Sequence, residues 1–164
     1  FRAAMTGHQV FTTLHTNSAL GTFPRLLDIG IAPEIMAGNI IGVIAQRLVR
    51  VLCVHCKEEY EPNEEECRLL GLKTSNHQNI FRQKGCKRCS YTGYRGRMAI
   101  MELLRIDTDL DSMIARRAHL DELRDVARQK GFVTLAEDGI RRVLEGVTSL
   151  GEVSRVVDLT GRID

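Results

Sequence analysis

The sequence predicts an α/β fold interrupted by a cysteine-bounded insertion, and three features carry that prediction. The β-branched and aromatic run Val10-Phe11-Thr12-Thr13-Leu14 reads as a strand, two Cys-x-x-Cys pairs bracket residues 53–89, and the stretch after Ile106 is patterned at helical spacing.

The bounds come first. A chain of 164 residues, 43% hydrophobic and 27% charged, has the balance of a folded globular protein and room for one core plus a small appendage. Lys plus Arg number 23 against 21 Asp plus Glu, a net charge of +2. That is too little field to steer the chain onto nucleic acid or an anionic membrane. The most apolar stretch, Asn39 to Ala45, is too short to span a bilayer, and no segment has the charged start and apolar core of a signal peptide, so a cytoplasmic protein is expected. Phe1 to Met5 reads as the tail of a helix rather than a natural beginning, and the sequence is expected to continue a longer chain.

The elements follow in order. His8 to His15 is expected to be a buried strand with a histidine at each end. Ser18 caps a following helix that runs to Gly30, with Pro24 kinking it or marking its true first turn. Pro33 fits the first position of a longer helix through Ile35, Met36, Ile40, Ile41, Ile44 and Leu48, and the Gly-x-x-x-Gly at Gly38 and Gly42 then allows close helix packing. The excursion Cys53 to Cys89 carries a short helix capped by Asn63 and ended by Gly71. Gly93 and Gly96 bracket a turn at Tyr94-Arg95, and Met98 to Ile106 is apolar enough for a strand covered on both faces. The remainder is helical, with stops at Gly131 and Gly146 and capping boxes at Thr134 with Glu137 and Ser149 with Glu152.

Cys53-Val54-His55-Cys56 and Cys86-Lys87-Arg88-Cys89 are two knuckles separated by 29 residues. Zn2+ takes four soft ligands in a tetrahedron, and each knuckle delivers two thiolates at ~2.3 Å from one metal. Disulfides are the alternative in an oxidising compartment, and a redox dithiol needs only one knuckle. A site with four sulfurs leaves no position for water, so the metal is expected to be structural. His55 is read as a solvent-facing loop residue and Cys67 as a partly buried apolar one.

The stretch Thr6-Gly7-His8 through Thr13-Leu14-His15-Thr16-Asn17 gathers hydrogen-bonding side chains at what would be a sheet edge. On physical grounds alone the favoured reading is that those residues cap the strand and start the next helix. The segment nevertheless closely resembles the histidine box of the type II secretion and type IV pilus assembly ATPases. Arg25-Leu26-Leu27-Asp28-Ile29-Gly30, Ala45-Gln46-Arg47-Leu48-Val49-Arg50, both knuckles, Gly93-Tyr94-Arg95-Gly96-Arg97 and Thr134-Leu135 before Asp138-Gly139 follow the same family's order.

The resemblance implies the second half of a RecA-like motor domain of a hexameric ATPase. Residues 1–52 would belong to its core, 53–89 to a protruding zinc subdomain with Cys53, Cys56, Cys86 and Cys89 as ligands, and 90–164 to a returning strand and C-terminal helices. It implies that His15 sits by the terminal phosphate of ATP and reports its presence, that His8 supports it, and that the insert docks on an inner-membrane platform protein. The departure is that no Gly-x-x-x-x-Gly-Lys-Ser/Thr occurs in these 164 residues, so no loop here cradles phosphates, and the family's Mg2+-associated acidic motifs precede the histidine box. This stretch alone is expected not to hydrolyse ATP. The alternatives are a stand-alone zinc-binding interaction module and a zinc-ribbon nucleic-acid binder; the latter is opposed by Glu58, Glu59, Glu61, Glu64, Glu65 and Glu66.

Overall fold

The computed structural model describes residues 1–72 and 78–160. In chain order the elements are α1 (Arg2–Met5), α2 (Thr22–Asp28), α3 (Pro33–Met36), β1 (Gly42–Leu52), β2 (Glu58–Tyr60), α4 (Glu64–Leu70), β3 (Ile80–Arg82), a 3-10 turn (Lys87–Cys89), β4 (Tyr94–Arg105), α5 (Thr108–Ala115), α6 (Leu120–Gln129), α7 (Leu135–Leu144) and α8 (Leu150–Val156). The protein is thus a mixed α/β chain whose strands form two two-stranded sheets among the described residues, β1 with β4 and β2 with β3.

Two compact units divide it: Phe1–Ala45 with Glu102–Thr134, and Gln46–Met101 with Leu135–Asp164. In the first unit α2, α3, α5 and α6 enclose a core of Leu20, Phe23, Leu26, Met36, Leu110 and Leu123, closed by Leu104. Each helix contributes the stripe its apolar spacing dictates, and burial of that stripe rather than propensity holds elements this short. In the second unit β2 and β3 pair antiparallel, with Glu58 opposite Arg82 and Tyr60 opposite Ile80. Gly139 of α7 lets α8 approach so closely that a Cβ there would lie 2.6 Å from Val153 Cγ1.

Several expected elements form as read. Asn63 and Glu66 make a full capping box on α4, and Gly71 ends it in the left-handed region at φ 70°. Pro24 lies in the first turn of α2, but the N-cap there is Gly21 rather than the expected Ser18, whose Oγ accepts the Gly21 N–H at 3.1 Å just before the helix. Ser149 accepts from Glu152 N–H and starts α8, while the Glu152 carboxylate goes to Arg50 and Arg155 instead of completing the expected capping box.

Other expectations are corrected. The long helix from Pro33 to Leu48 does not exist: α3 stops at Met36, Gly38 turns the backbone at φ +75°, and β1 begins at Gly42. The β-branched residues Val43, Ile44, Val49 and Val51 favour the extended chain, and Ile44 and Leu48, read as one helical face, are more than half exposed. Gly38 and Gly42 therefore serve a turn and a strand start, not helix packing. Strand β4 is not covered on both faces, because Ile100, Glu102 and Leu104 are buried while Met101 and Leu103 between them are exposed. Tyr94 and Arg95 already belong to it rather than to a turn.

Residues 8–16 take no regular secondary structure, and Phe11 is 85% exposed. A strand needs a ladder partner for its N–H and C=O groups, and among the described residues none pairs with this segment. Among the described residues, no helix is long and apolar enough to cross a membrane.

Candidate metal centre and histidine segment

The two knuckles converge. In the first, Cys56 and Lys57 both donate backbone N–H groups to the Cys53 carbonyl, at 3.1 and 2.9 Å. In the second, Cys89 and Tyr91 donate to the Cys86 carbonyl, at 3.1 and 2.9 Å, while Ser90 and Tyr91 adopt positive φ. Two glycines make the second loop possible. A Cβ on Gly85, at φ +103°, would lie 2.5 Å from the Tyr91 carbonyl oxygen, and one on Gly93, at φ +76°, would lie 2.4 Å from Gln83 Cβ. Lys57 ties the first knuckle down, donating to the Gly146 carbonyl at 2.8 Å with its ammonium 4.3 Å from the Phe81 ring centre.

The four sulfurs lie within 4.8 Å of one another. Cys53 and Cys86 Sγ are 4.0 Å apart, and Cys89 Sγ is 3.8 Å from both Cys56 and Cys86 Sγ. A disulfide needs ~2.05 Å. A tetrahedron of thiolates at ~2.3 Å from a central zinc has edges of about 3.8 Å, close to the separations of 3.8–4.0 Å between these sulfurs. All four cysteines are free, and Cys53 and Cys89 are buried. Burial pushes the Cys89 thiol up, but N–H groups donated by Cys86 at 3.1 Å and Gly93 at 3.3 Å, together with the neighbouring Cys56 and Cys86 thiols, bring it down to about 6. Burial drives the Cys56 thiol the other way, to about 12, against the Gly85 N–H.

His55 points outward, 3.1 Å from Arg88 Nη1, and Cys67 donates toward the Pro62 carbonyl at 3.6 Å, so neither joins the sulfur cluster. The cluster can hold one metal ion through Cys53, Cys56, Cys86 and Cys89. With every position taken by thiolate it would stabilise the loop pair rather than activate water.

The histidine segment has different chemistry. His8 Nδ1 lies 3.0 Å from Thr6 Oγ1, just past α1, and both His8 and His15 are exposed. Leu14, beside His15, is partly buried against the core of the first unit. Downstream, Thr16 Oγ1 donates to the Ser18 carbonyl at 3.1 Å, and the buried Ala19 N–H donates to Glu102 Oε1 on β4. The sequence reading missed Glu102. Its signal was a single acid inside the apolar run Met98 to Ile106, a position that burial disfavours unless the carboxylate is hydrogen-bonded.

A family model described as Type II/IV secretion system protein matches residues 1–155, through both the histidine segment and the knuckles. The chain belongs to this family. It is 46% identical over 155 residues to the Type II secretion system protein E of Pseudomonas aeruginosa, covering 94% of this chain and 31% of that protein. The Type IV pilus assembly ATPase PilB of Thermus thermophilus is 44% identical over 153 residues, 92% of this chain and 17% of the relative. The Type II secretion system ATPase E of Vibrio cholerae is 42% identical over 155 residues, 94% and 31% respectively. The chain therefore spans less than a third of the length of these relatives.

Proposed function

We propose that this chain is the later part of a RecA-like motor domain in a hexameric ATPase that powers type II protein secretion or type IV pilus assembly, acting in the cytoplasm against an inner-membrane platform protein. Residues 1–52 and 90–164 belong to the motor, and 53–89 form its zinc-binding subdomain. The observation that carries this reading is the family match running from residue 1 to 155, with relatives named as secretion and pilus-assembly ATPases across it. A stand-alone zinc-binding module is not favoured by that match.

In this reading, residues outside the chain hold ATP and Mg2+, which supply the phosphoryl group and neutralise its charge. Phosphoryl transfer depends on positioning and electrostatic stabilisation, so a side chain that meets the terminal phosphate can couple its presence to movement. His15 has the required chemistry: an imidazole N–H can donate to a phosphate oxygen, and the ring is exposed. His8, fixed beside Thr6, supports the start of the segment. Zn2+ at Cys53, Cys56, Cys86 and Cys89 stiffens an excursion too small to have a core of its own, leaving a rigid surface for docking.

The test is ATP hydrolysis by the full-length protein. His15→Ala is expected to lower turnover by about 10- to 100-fold with zinc content and assembly intact. Undiminished turnover in the assembled variant removes the sensing role.

A further inference from the structure

We propose that Glu102 is a positioning residue for His15, an inference that rests on the reading of His15 as the phosphate-sensing side chain. Strand β4 alternates its burial, and its inward positions carry Ile100, Glu102 and Leu104, at 0%, 3% and 1% exposure. Two of these are the aliphatic residues that a core strand selects. A carboxylate between them is costly to bury, and the site tolerates it because it accepts hydrogen bonds.

One of those bonds has a specific address. Glu102 Oε1 accepts the backbone N–H of Ala19, which is itself 0% exposed and sits four residues after His15. The intervening turn is closed by its own side chains: Thr16 Oγ1 donates to the Ser18 carbonyl, and Ser18 Oγ accepts the Gly21 N–H at the start of α2. On the other side Leu14 packs against the core. His15 is thus an exposed ring on a short span fixed at Leu14 by apolar contact and at Ala19 by a hydrogen bond to Glu102. No ladder holds residues 8–16 among the described residues, so fastenings such as these two set where the imidazole can reach. Displacing a positioned group by about 1 Å can cost 100-fold in rate, which gives a buried anchor leverage on chemistry it never touches.

An anchor that works only through His15 must lose its effect on catalysis when the imidazole is gone, whereas a general stabiliser of the fold keeps it. The experiment is a double-mutant cycle on the full-length, zinc-loaded enzyme, reading kcat and KM for ATP. Glu102→Ala is expected to lower kcat about tenfold, and Glu102→Gln, whose amide oxygen still accepts from Ala19, to recover most of that loss. In a His15→Ala background, Glu102→Ala should change kcat by less than about twofold. If the Ala variant does not fold, Glu102→Asp, which withdraws the oxygen by one methylene, takes its place in the cycle. Undiminished kcat in Glu102→Ala, or losses that multiply in the double variant, overturns the positioning role. Unchanged turnover in His15→Ala alone overturns instead the reading of His15 on which it rests.

Discussion

Arg50 and Glu152, 102 positions apart, form a forked contact in which Arg50 Nε and Nη2 donate to Glu152 Oε2 at 3.0 and 2.6 Å. The Arg50 backbone N–H donates to Oε1 at 3.0 Å, Arg155 adds two further bonds from α8, and the Arg50 guanidinium lies 4.2 Å from the Tyr94 ring centre. One buried carboxylate thereby joins β1, β4 and α8 within the second unit.

Burial pushes the Glu152 carboxyl up, but the hydrogen bonds from Arg155 and Arg50 prevail and hold it at about 2, below its ordinary 4.5. A depressed folded-state value means the stabilisation is complete above about pH 4.5 and fades as the pH falls to 2. Asp138 adds to the same acid loss, since Arg141 and the Met101 N–H hold it low against its burial. Glu152→Gln should cost about 2–3 kcal/mol at neutral pH and flatten the loss of stability below pH 4.5, read as thermal midpoints across the acid range. An acid slope as steep as the parent's would place the titrating group elsewhere.

The sulfur cluster predicts about one zinc per chain, because four thiolates fill the tetrahedron. Cys86→Ser should remove it, and chelation of the parent should loosen the same loops, seen as rapid amide exchange at the knuckles while α5 and α6 stay protected. Full zinc occupancy in the serine variant would show that Cys86 is not a ligand.

Gly93 and Gly96 separate crowding from backbone strain, since both have positive φ but only Gly93 meets a neighbour. Gly93→Ala should cost about 2–4 kcal/mol and weaken zinc binding through its clash with Gln83. Gly96→Ala, with nothing within 4 Å, should cost about 1 kcal/mol and leave zinc content intact. Equal effects at the two positions, read by melting and metal analysis, would contradict the role of close packing at the knuckle.

How much of this was legible depended on the range of the determining interaction. The knuckles, the α4 cap at Asn63 and its stop at Gly71 are local, and spacing alone revealed them. The error over residues 37–48 arose because Ile40, Ile41, Ile44 and Leu48 fit a helical period, while pairing with a strand more than fifty residues away decides the outcome. The roles of Glu102, Glu152 and Lys57 were hidden for the same reason, although Glu152 was read as part of a helix cap: each is an ordinary charged residue until the chain brings Ala19, Arg50 or Gly146 to it. Tyr60 is similar, its hydroxyl bonded to Glu66 at 2.7 Å within the insert.

In the proposed function, His15 distinguishes a nucleotide with a terminal phosphate from one without it. The most direct measurement is the affinity of the full-length protein for a non-hydrolysable ATP analogue and for ADP, with and without His15→Ala. With His15→Ala, ADP binding should be unchanged and the preference for the triphosphate should fall by about tenfold or more. An undiminished preference in the variant would contradict it.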